Sequence, residues 1–395
     1  MEIYADNAAT TKLSRTALDA MLPYFDTYFG NPSSLHSFGQ KAADAVYHAR
    51  TAIAKILACS PKEIIFTSGG SESDNQALIS AANDGAKKGC RHIISSSIEH
   101  HAVLHTLDML AKQGFEVTLL DPDPDGMVSP DRIAQEIRPD TCLVSIMYAN
   151  NEIGTIQPVR EIGSICREKG VLFHTDAVQA AGHLPINVKE DHIDMLSLSA
   201  HKFGGPKGIG VLYARNGIPL TNIIYGGAQE RGKRAGTENV PAIVGMSAAL
   251  NDAVTNMKSN SDKILPLRER LIDGLARIPH SILNGDRSHR LPGNVNFCFE
   301  GIDSESLLLM LDRNGIAASA GSACAAGSLE PSHVLLAIGR SYELALSSLR
   351  LSINEEITVE QIDFIVQTVT DSVEKIREIS PVWQDLVSGR KPFTI

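Results

Sequence analysis

Asp194-Met195-Leu196-Ser197-Leu198-Ser199-Ala200-His201-Lys202-Phe203-Gly204-Gly205-Pro206-Lys207-Gly208 runs from an apolar strand pattern into a glycine-rich turn. Lys202 ends the strand beside a histidine and a serine, a poor place for a merely solubilising charge. A plain Lys-Gly surface turn is the alternative for this segment alone. Outward from it, short apolar runs recur at residues 64–66, 92–95, 116–120, 142–149, 171–175, 195–199 and 209–213. Helical stretches separate most of them, residues 102–112 and 159–169 among them. Ala42, Val46, Ala49, Ile53 and Ile56 share one helical face. Such alternation predicts an α/β fold with a mostly parallel central sheet and helices on both faces. In such sheets the ligand lies beyond the C-terminal strand ends.

The pattern changes after the polar stretch at residues 258–263. A long helix at 264–278, a strand at 294–299, a helix at 304–313, a strand at 348–353 and a last helix at 359–379 read as a smaller α+β domain. The expected division is a large domain over residues 15–260 and a small one from residues 1–14 and 261–395. The chain has 395 residues, 43% hydrophobic and 21% charged, as expected for a soluble protein with a large core. A net charge of −10 argues against nucleic acid or an anionic membrane as the main partner. No apolar run approaches membrane-spanning length, and the N-terminus lacks a signal-peptide pattern. The six cysteines contain no Cys-x-x-Cys pair, which suits a reducing, cytoplasmic setting and no structural zinc.

Two further segments give Lys202 a chemical context. Val171-Leu172-Phe173-His174-Thr175-Asp176-Ala177-Val178-Gln179 ends an apolar run in an aspartate. Glu63-Ile64-Ile65-Phe66-Thr67-Ser68-Gly69-Gly70-Ser71-Glu72-Ser73-Asp74-Asn75 reads as strand, small-residue turn and helix start. Backbone N–H groups at a helix N-terminus bind phosphate. A lysine, a carboxylate and a phosphate cradle are what pyridoxal 5′-phosphate requires. The lysine forms the Schiff base, and the carboxylate keeps the pyridine nitrogen protonated. Gln179 lies near enough in sequence to reach the ring hydroxyl. Read alone, Asp176 also suits a turn cap.

A second nucleophile follows. Ala317-Ala318-Ser319-Ala320-Gly321-Ser322-Ala323-Cys324-Ala325-Ala326-Gly327-Ser328 holds no large side chain, so a mobile loop with an accessible Cys324 is expected. A small buried residue in a tight turn is the alternative. Residues 348–353 alternate strictly and set Arg350 on a face of serines, able to fork a carboxylate or to make a surface ion pair. His101 and His105 lie one helical turn apart but lack a third metal ligand. His100, at a strand-to-helix junction, suits stacking on a flat ring and proton handling. The amides of Asn150-Asn151-Glu152 follow a strand end and can reach cofactor or substrate.

Together these segments resemble the cysteine desulfurases, fold type I pyridoxal-phosphate enzymes of the class V aminotransferase group. The resemblance extends to Asp6-Asn7-Ala8-Ala9-Thr10-Thr11, Gly30-Asn31-Pro32-Ser33-Ser34, Gln229-Glu230-Arg231-Gly232-Lys233-Arg234-Ala235-Gly236-Thr237-Glu238-Asn239 and Ser328-Leu329-Glu330-Pro331-Ser332. The extended Cys324 loop resembles the first group, with nitrogenase-associated and housekeeping iron–sulfur members. The run from Gln229 resembles the nitrogenase-associated branch. By resemblance, Lys202 holds the cofactor and moves protons, and His100 stacks on the ring. Asp176 and Gln179 contact the pyridine nitrogen and ring hydroxyl. Gly70, Ser71, Ser199 and His201 hold the phosphate, with Thr237 reaching in from a second subunit. Arg350 and Asn151 hold the substrate carboxylate, Asn151 also touching cofactor, and Cys324 takes the sulfur. The resemblance implies conversion of L-cysteine to L-alanine in a homodimer. The sulfur passes as a persulfide to an acceptor such as an iron–sulfur scaffold or a tRNA-thiolating enzyme. An aminotransferase, a selenocysteine lyase and a non-catalytic scaffold are the rival readings. The tail from Val382 to Ile395 matches nothing in the family pattern.

Overall fold

A computed structural model of the chain describes residues 2–321 and 330–395. Cys324 lies outside the described residues. The strands are β1 (Ile3–Tyr4), β2 (Ile64–Thr67), β3 (His92–Ser96), β4 (Glu116–Leu120), β5 (Thr141–Ser145), β6 (Leu172–Asp176), β7 (Met195–Ser199), β8 (Gly210–Ala214), β9 (Ser281–Leu283), β10 (Asn294–Phe299), β11 (Ile316–Ala317) and β12 (Ser348–Ser352). Seven form one sheet in the order β2-β8-β7-β6-β5-β3-β4. Its inner pairs run parallel, while β8 runs antiparallel to both β2 and β7. The C-terminal ends of β2, β6 and β7 therefore share one edge.

The reversed strand has a physical reason. A parallel crossover needs a dozen or more residues, usually with a helix. Between Ser199 and Gly210 the chain has only a short 3₁₀ turn at Ala200–Lys202 and a glycine-rich bend. The chain must turn straight back, and Lys202 lies in that turn, at the ligand edge of the sheet.

Alternate strand residues feed two cores. Ile64, Phe66, Ile94, Val144, Phe173, Leu196 and Val211 pack against helix Ser37–Ile56 and the start of helix Val240–Leu275. Ile65, Ile93, Leu143, Met195 and Leu212 face helices Gly70–Lys87 and His101–Lys112. A separate core gathers Ile3 and Ala5 with residues 264–376 around the antiparallel sheet β12-β10-β9. β1 pairs in parallel with β11, and Asp6 bridges to Ser352, so the N-terminus joins this second unit.

One expectation is corrected. The polar stretch at 258–263 does not break the chain, because Val240–Leu275 is one helix of 36 residues. Residues 255–263 are mostly exposed, so polar side chains there are solvated helix surface rather than a linker. The expected helix at 264–278 is its C-terminal part, which carries Pro266 within it. The tail also has structure: Pro381–Val387 is helical, and Trp383 stacks near Arg377, 4.0 Å from guanidinium carbon to ring centre.

Candidate active site

Helix Gly70–Lys87 starts directly after β2, so its N-terminal amides face the strand-end edge. A Cβ on Gly70 would lie 2.7 Å from Val178 Cγ2, and one on Gly210 would lie 2.6 Å from Gly69 Cα. The turn therefore closes tightly only without side chains. Glu72, in the first helical turn, accepts from the Ser68 N–H at 2.7 Å and pairs with Arg234 Nε at 2.9 Å. That pair offsets a carboxylate beside an anion cradle and holds its carboxyl below the usual range despite burial.

Gly70, Ser71, Ser199 and His201 line both an outer pocket and an inner cavity of about 240 Å³. His100, Asn151, Asp176, Gln179, Lys202 and Arg350 line that same inner cavity. Lys202 Nζ donates to the carbonyls of Ala8, at 2.5 Å, and Ala9, at 2.9 Å. Gln179 Nε2 donates to the Ala8 carbonyl at 3.0 Å. Asp176 is buried, and its Oδ1 accepts from the Val178 N–H at 2.9 Å. Burial pushes its carboxyl up, opposed by His100, that N–H and Lys202. Burial, with Lys202 and Lys207 nearby, pushes the His201 imidazole down to about 4. Its neutral ring meets Thr10 Oγ1 at 3.2 Å.

His100 caps helix His101–Lys112, its Nδ1 accepting the Ala102 N–H at 3.1 Å. A neutral ring so held carries its proton on Nε2. Asn150 shapes the next turn, since its Oδ1 accepts from the N–H groups of Glu152, at 2.8 Å, and Ile153, at 3.0 Å. This brings Asn151 to the cavity. Arg350 is buried on β12, donating to the Asn151 carbonyl at 3.1 Å and to Asp6 Oδ1 at 2.9 Å. Its Nε is a buried donor with no partner among the described residues.

Thr237 is exposed and does not line the cavity of its own chain. Its segment is tied down through Glu230, whose buried carboxylate takes two bonds from Arg50, at 2.7 and 2.6 Å, and one from the Phe66 N–H at 3.1 Å. Gly321 and Ser332 both approach Glu152: a Gly321 Cβ would lie 2.9 Å from its Oε2, which accepts from Ser332 Oγ at 2.5 Å. His101 packs against His105 and His333, with ring centres 5.1 and 4.8 Å apart.

Sequence reasoning passed over several groups that the fold assembles here. The carbonyls of Ala8 and Ala9 hold Lys202, yet backbone atoms leave no sequence signal. Asp74, which lines the cavity, and Glu99 and His174 are buried acids and a buried imidazole. For Asp74 a signal existed, since it lies one helical turn beyond Gly70 and Ser71 on the same face.

Residues 3–365 match the family model of class-V aminotransferases. The chain is 52% identical over 393 residues to cysteine desulfurase IscS of Clostridium botulinum, covering 99% of both chains. A solved NifS-like protein superposes with a TM-score of 0.89 at 37% identity, over 95% of this chain and 100% of that one. A structure of SspA in complex with cysteine matches with a TM-score of 0.79 at 38% identity, over 89% of this chain and 98% of that one. The chain belongs to the class-V aminotransferases and, within them, to the cysteine desulfurases. Its cofactor is pyridoxal 5′-phosphate. The residues present fit that group: a lysine amine, a buried carboxylate and a helix N-terminus that opens on Gly70 converge on one cavity, which Arg350 also lines.

Proposed function

We propose that this cavity takes L-cysteine, releases L-alanine and passes the sulfur to Cys324 as a persulfide. The convergence of Lys202, Asp176 and the Gly70–Ser71 turn with Arg350 in one cavity carries the reading. The cofactor supplies an electron sink that stabilises negative charge at the substrate α-carbon. Asp176 would hold the pyridine nitrogen and Gln179 the ring hydroxyl. Gly70, Ser71, Ser199 and His201 would hold the phosphate, and His100 would cover the ring. Lys202 Nζ attaches the cofactor and then carries the substrate α-proton. Arg350, with Asn151, would orient the substrate carboxylate.

At the end, the substrate Cβ–S bond breaks and an S–S bond forms on the Cys324 thiolate. The electron pair left on carbon takes a proton, giving alanine. Four of the other thiols are poor rivals. Burial pushes Cys59, Cys142 and Cys166 up to about 12 and Cys298 up to about 11. An aminotransferase needs no second nucleophile, so Cys324 favours desulfuration over that rival.

The chain works as a homodimer in which Thr237 of one subunit serves the other's phosphate site. Large exposed apolar side chains such as Phe25, Phe29, Phe38 and Tyr225 supply surface for such contact. The large unit spans residues 15–260 and the small one residues 1–14 and 261–395, following the separate cores. The persulfide goes to a sulfur acceptor such as an iron–sulfur scaffold or a tRNA-thiolating enzyme, in the cytoplasm. Among the described residues no helix is long and apolar enough to cross a membrane.

The test is Cys324→Ser, which keeps the side chain small but removes the thiolate. It is expected to bind cofactor and cysteine yet transfer no sulfur. Mass spectrometry of the wild type after cysteine treatment should add one sulfur to the peptide carrying Cys324. Persulfide found only on the other cysteines would refute the role.

A further inference from the structure

His174 and Asp176 lie two apart on β6, so both project from the sheet face that helix Gly70–Lys87 covers. Asp74 comes off that helix, is 1% exposed and lines the same cavity as Asp176. Its Oδ1 has no hydrogen-bond partner among the described residues and lies 3.6 Å from His174 Nε2. His174 is fully buried, with Nδ1 2.8 Å from Ser145 Oγ and Nε2 3.1 Å from Ser197 Oγ. No role proposed above uses this group.

We propose that Asp74 is a positioning residue, an un-ionised carboxylic acid that with His174, Ser145 and Ser197 backs Asp176. It leaves Asp176 as the carboxylate that faces the ring nitrogen. The inference rests on the cofactor reading of Asp176. Two ionised carboxylates sharing a dry cavity repel each other, and one of them keeps its proton. Burial and then Asp176 push the Asp74 carboxyl well above the usual range; the Ser197 hydroxyl opposes this and Glu99 adds to it. Burial also pushes His174 down to about 3, so its neutral ring cannot supply a counter-charge. A neutral acid behind Asp176 confines the negative charge to the one carboxylate that a pyridinium needs.

Infrared difference spectra of the holoenzyme, wild type minus Asp74→Asn, should show loss of an un-ionised carboxylic-acid carbonyl stretch at neutral pH. Loss of an ionised carboxylate stretch instead would overturn the proposal. Asp74→Leu, similar in size but without hydrogen bonds, should lower kcat about tenfold with KM for cysteine little changed, and should shift the cofactor's visible band. Asp74→Asn, which can still donate and accept, should restore most of that loss. An Asn variant as impaired as the Leu variant, both folded, would mean that the charge itself is needed and would sink the idea. Asp176→Asn addresses the underlying reading separately. If it left the visible band and turnover intact, the cofactor reading and the positioning role would both fall, whereas the infrared band reports on Asp74 alone.

Discussion

Arg350 meets its neighbours through both terminal nitrogens, lines the cavity, and keeps Nε as a buried donor with no partner among the described residues. A lysine keeps the charge but loses the planar fork. Arg350→Lys should therefore lower kcat/KM for cysteine roughly tenfold to a hundredfold, the value of one or two charge-assisted bonds. Steady-state kinetics with alanine release as the readout check this. Glu99 gives a pH test. Its Oε1 accepts from Ser96 Oγ at 2.6 Å and from the Met147 N–H at 2.9 Å, while Oε2 has no partner among the described residues. Burial pushes its carboxyl from 4.5 up to about 8. The folded state thus holds a proton that the unfolded chain releases. Its contribution is complete below pH 4.5 and fades as pH rises through about 8. Between those limits the slope is about 1.4 kcal/mol per pH unit. Glu99→Gln should remove that slope, so its stability relative to wild type should improve as pH rises. Denaturant unfolding of both proteins across that range checks the sign.

Among the elements, the turn at Gln229–Gly232 holds its shape against local preference. Glu230 and Arg231 both have positive φ, 49° and 57°, where a Cβ is strained. Tertiary bonds overcome this: Glu230 receives Arg50 and the Phe66 N–H, and Arg231 Nη2 donates to the Ile64 carbonyl at 2.7 Å. Arg50→Ala leaves a buried carboxylate uncompensated and should cost about 3–5 kcal/mol. Thermal unfolding would register it, and a loss under about 1 kcal/mol would count against the pair's importance. Elsewhere, elements whose local signals agree were legible at residue resolution. Helix Val159–Lys169 ends where Gly170 takes φ 70°, and β7 and β10 alternate or run apolar between clear turns. The stretch at 258–263 was misleading because polar side chains solvate a helix face as readily as a linker. The run at 142–149 extends beyond β5, since the Ile146 and Tyr148 N–H groups still donate to the His174 and Asp176 carbonyls before the Asn150 turn.

At the scale of the whole molecule, the exposed position of Thr237 gives the dimer reading a decisive test. Lys202→Ala and Thr237→Asp, each impaired alone, are mixed under conditions of subunit exchange. A shared site predicts recovered activity, because each hybrid dimer holds one intact site. That site takes Lys202 from one chain and Thr237 from the other. Proven exchange without recovery, or a fully active monomer, would exclude sharing.

The α/β class, most element positions and the candidate chemistry-bearing residues were legible in the sequence. Strand and helix periods, turn glycines and reactive side chains are local properties, and they singled out Lys202, Asp176, Arg350 and the Gly70–Ser71 turn as candidates, while an ion pair for Arg350 and a turn cap for Asp176 stayed open. What lies beside them depends on the folded chain. The reversal of β8, the carbonyls of Ala8 and Ala9 on Lys202, and the sealed group of Asp74, Glu99 and His174 arise from segments far apart in the chain. Whether a carboxyl keeps its proton depends on exclusion of water and on neighbouring charge, and both exist only once the chain has folded.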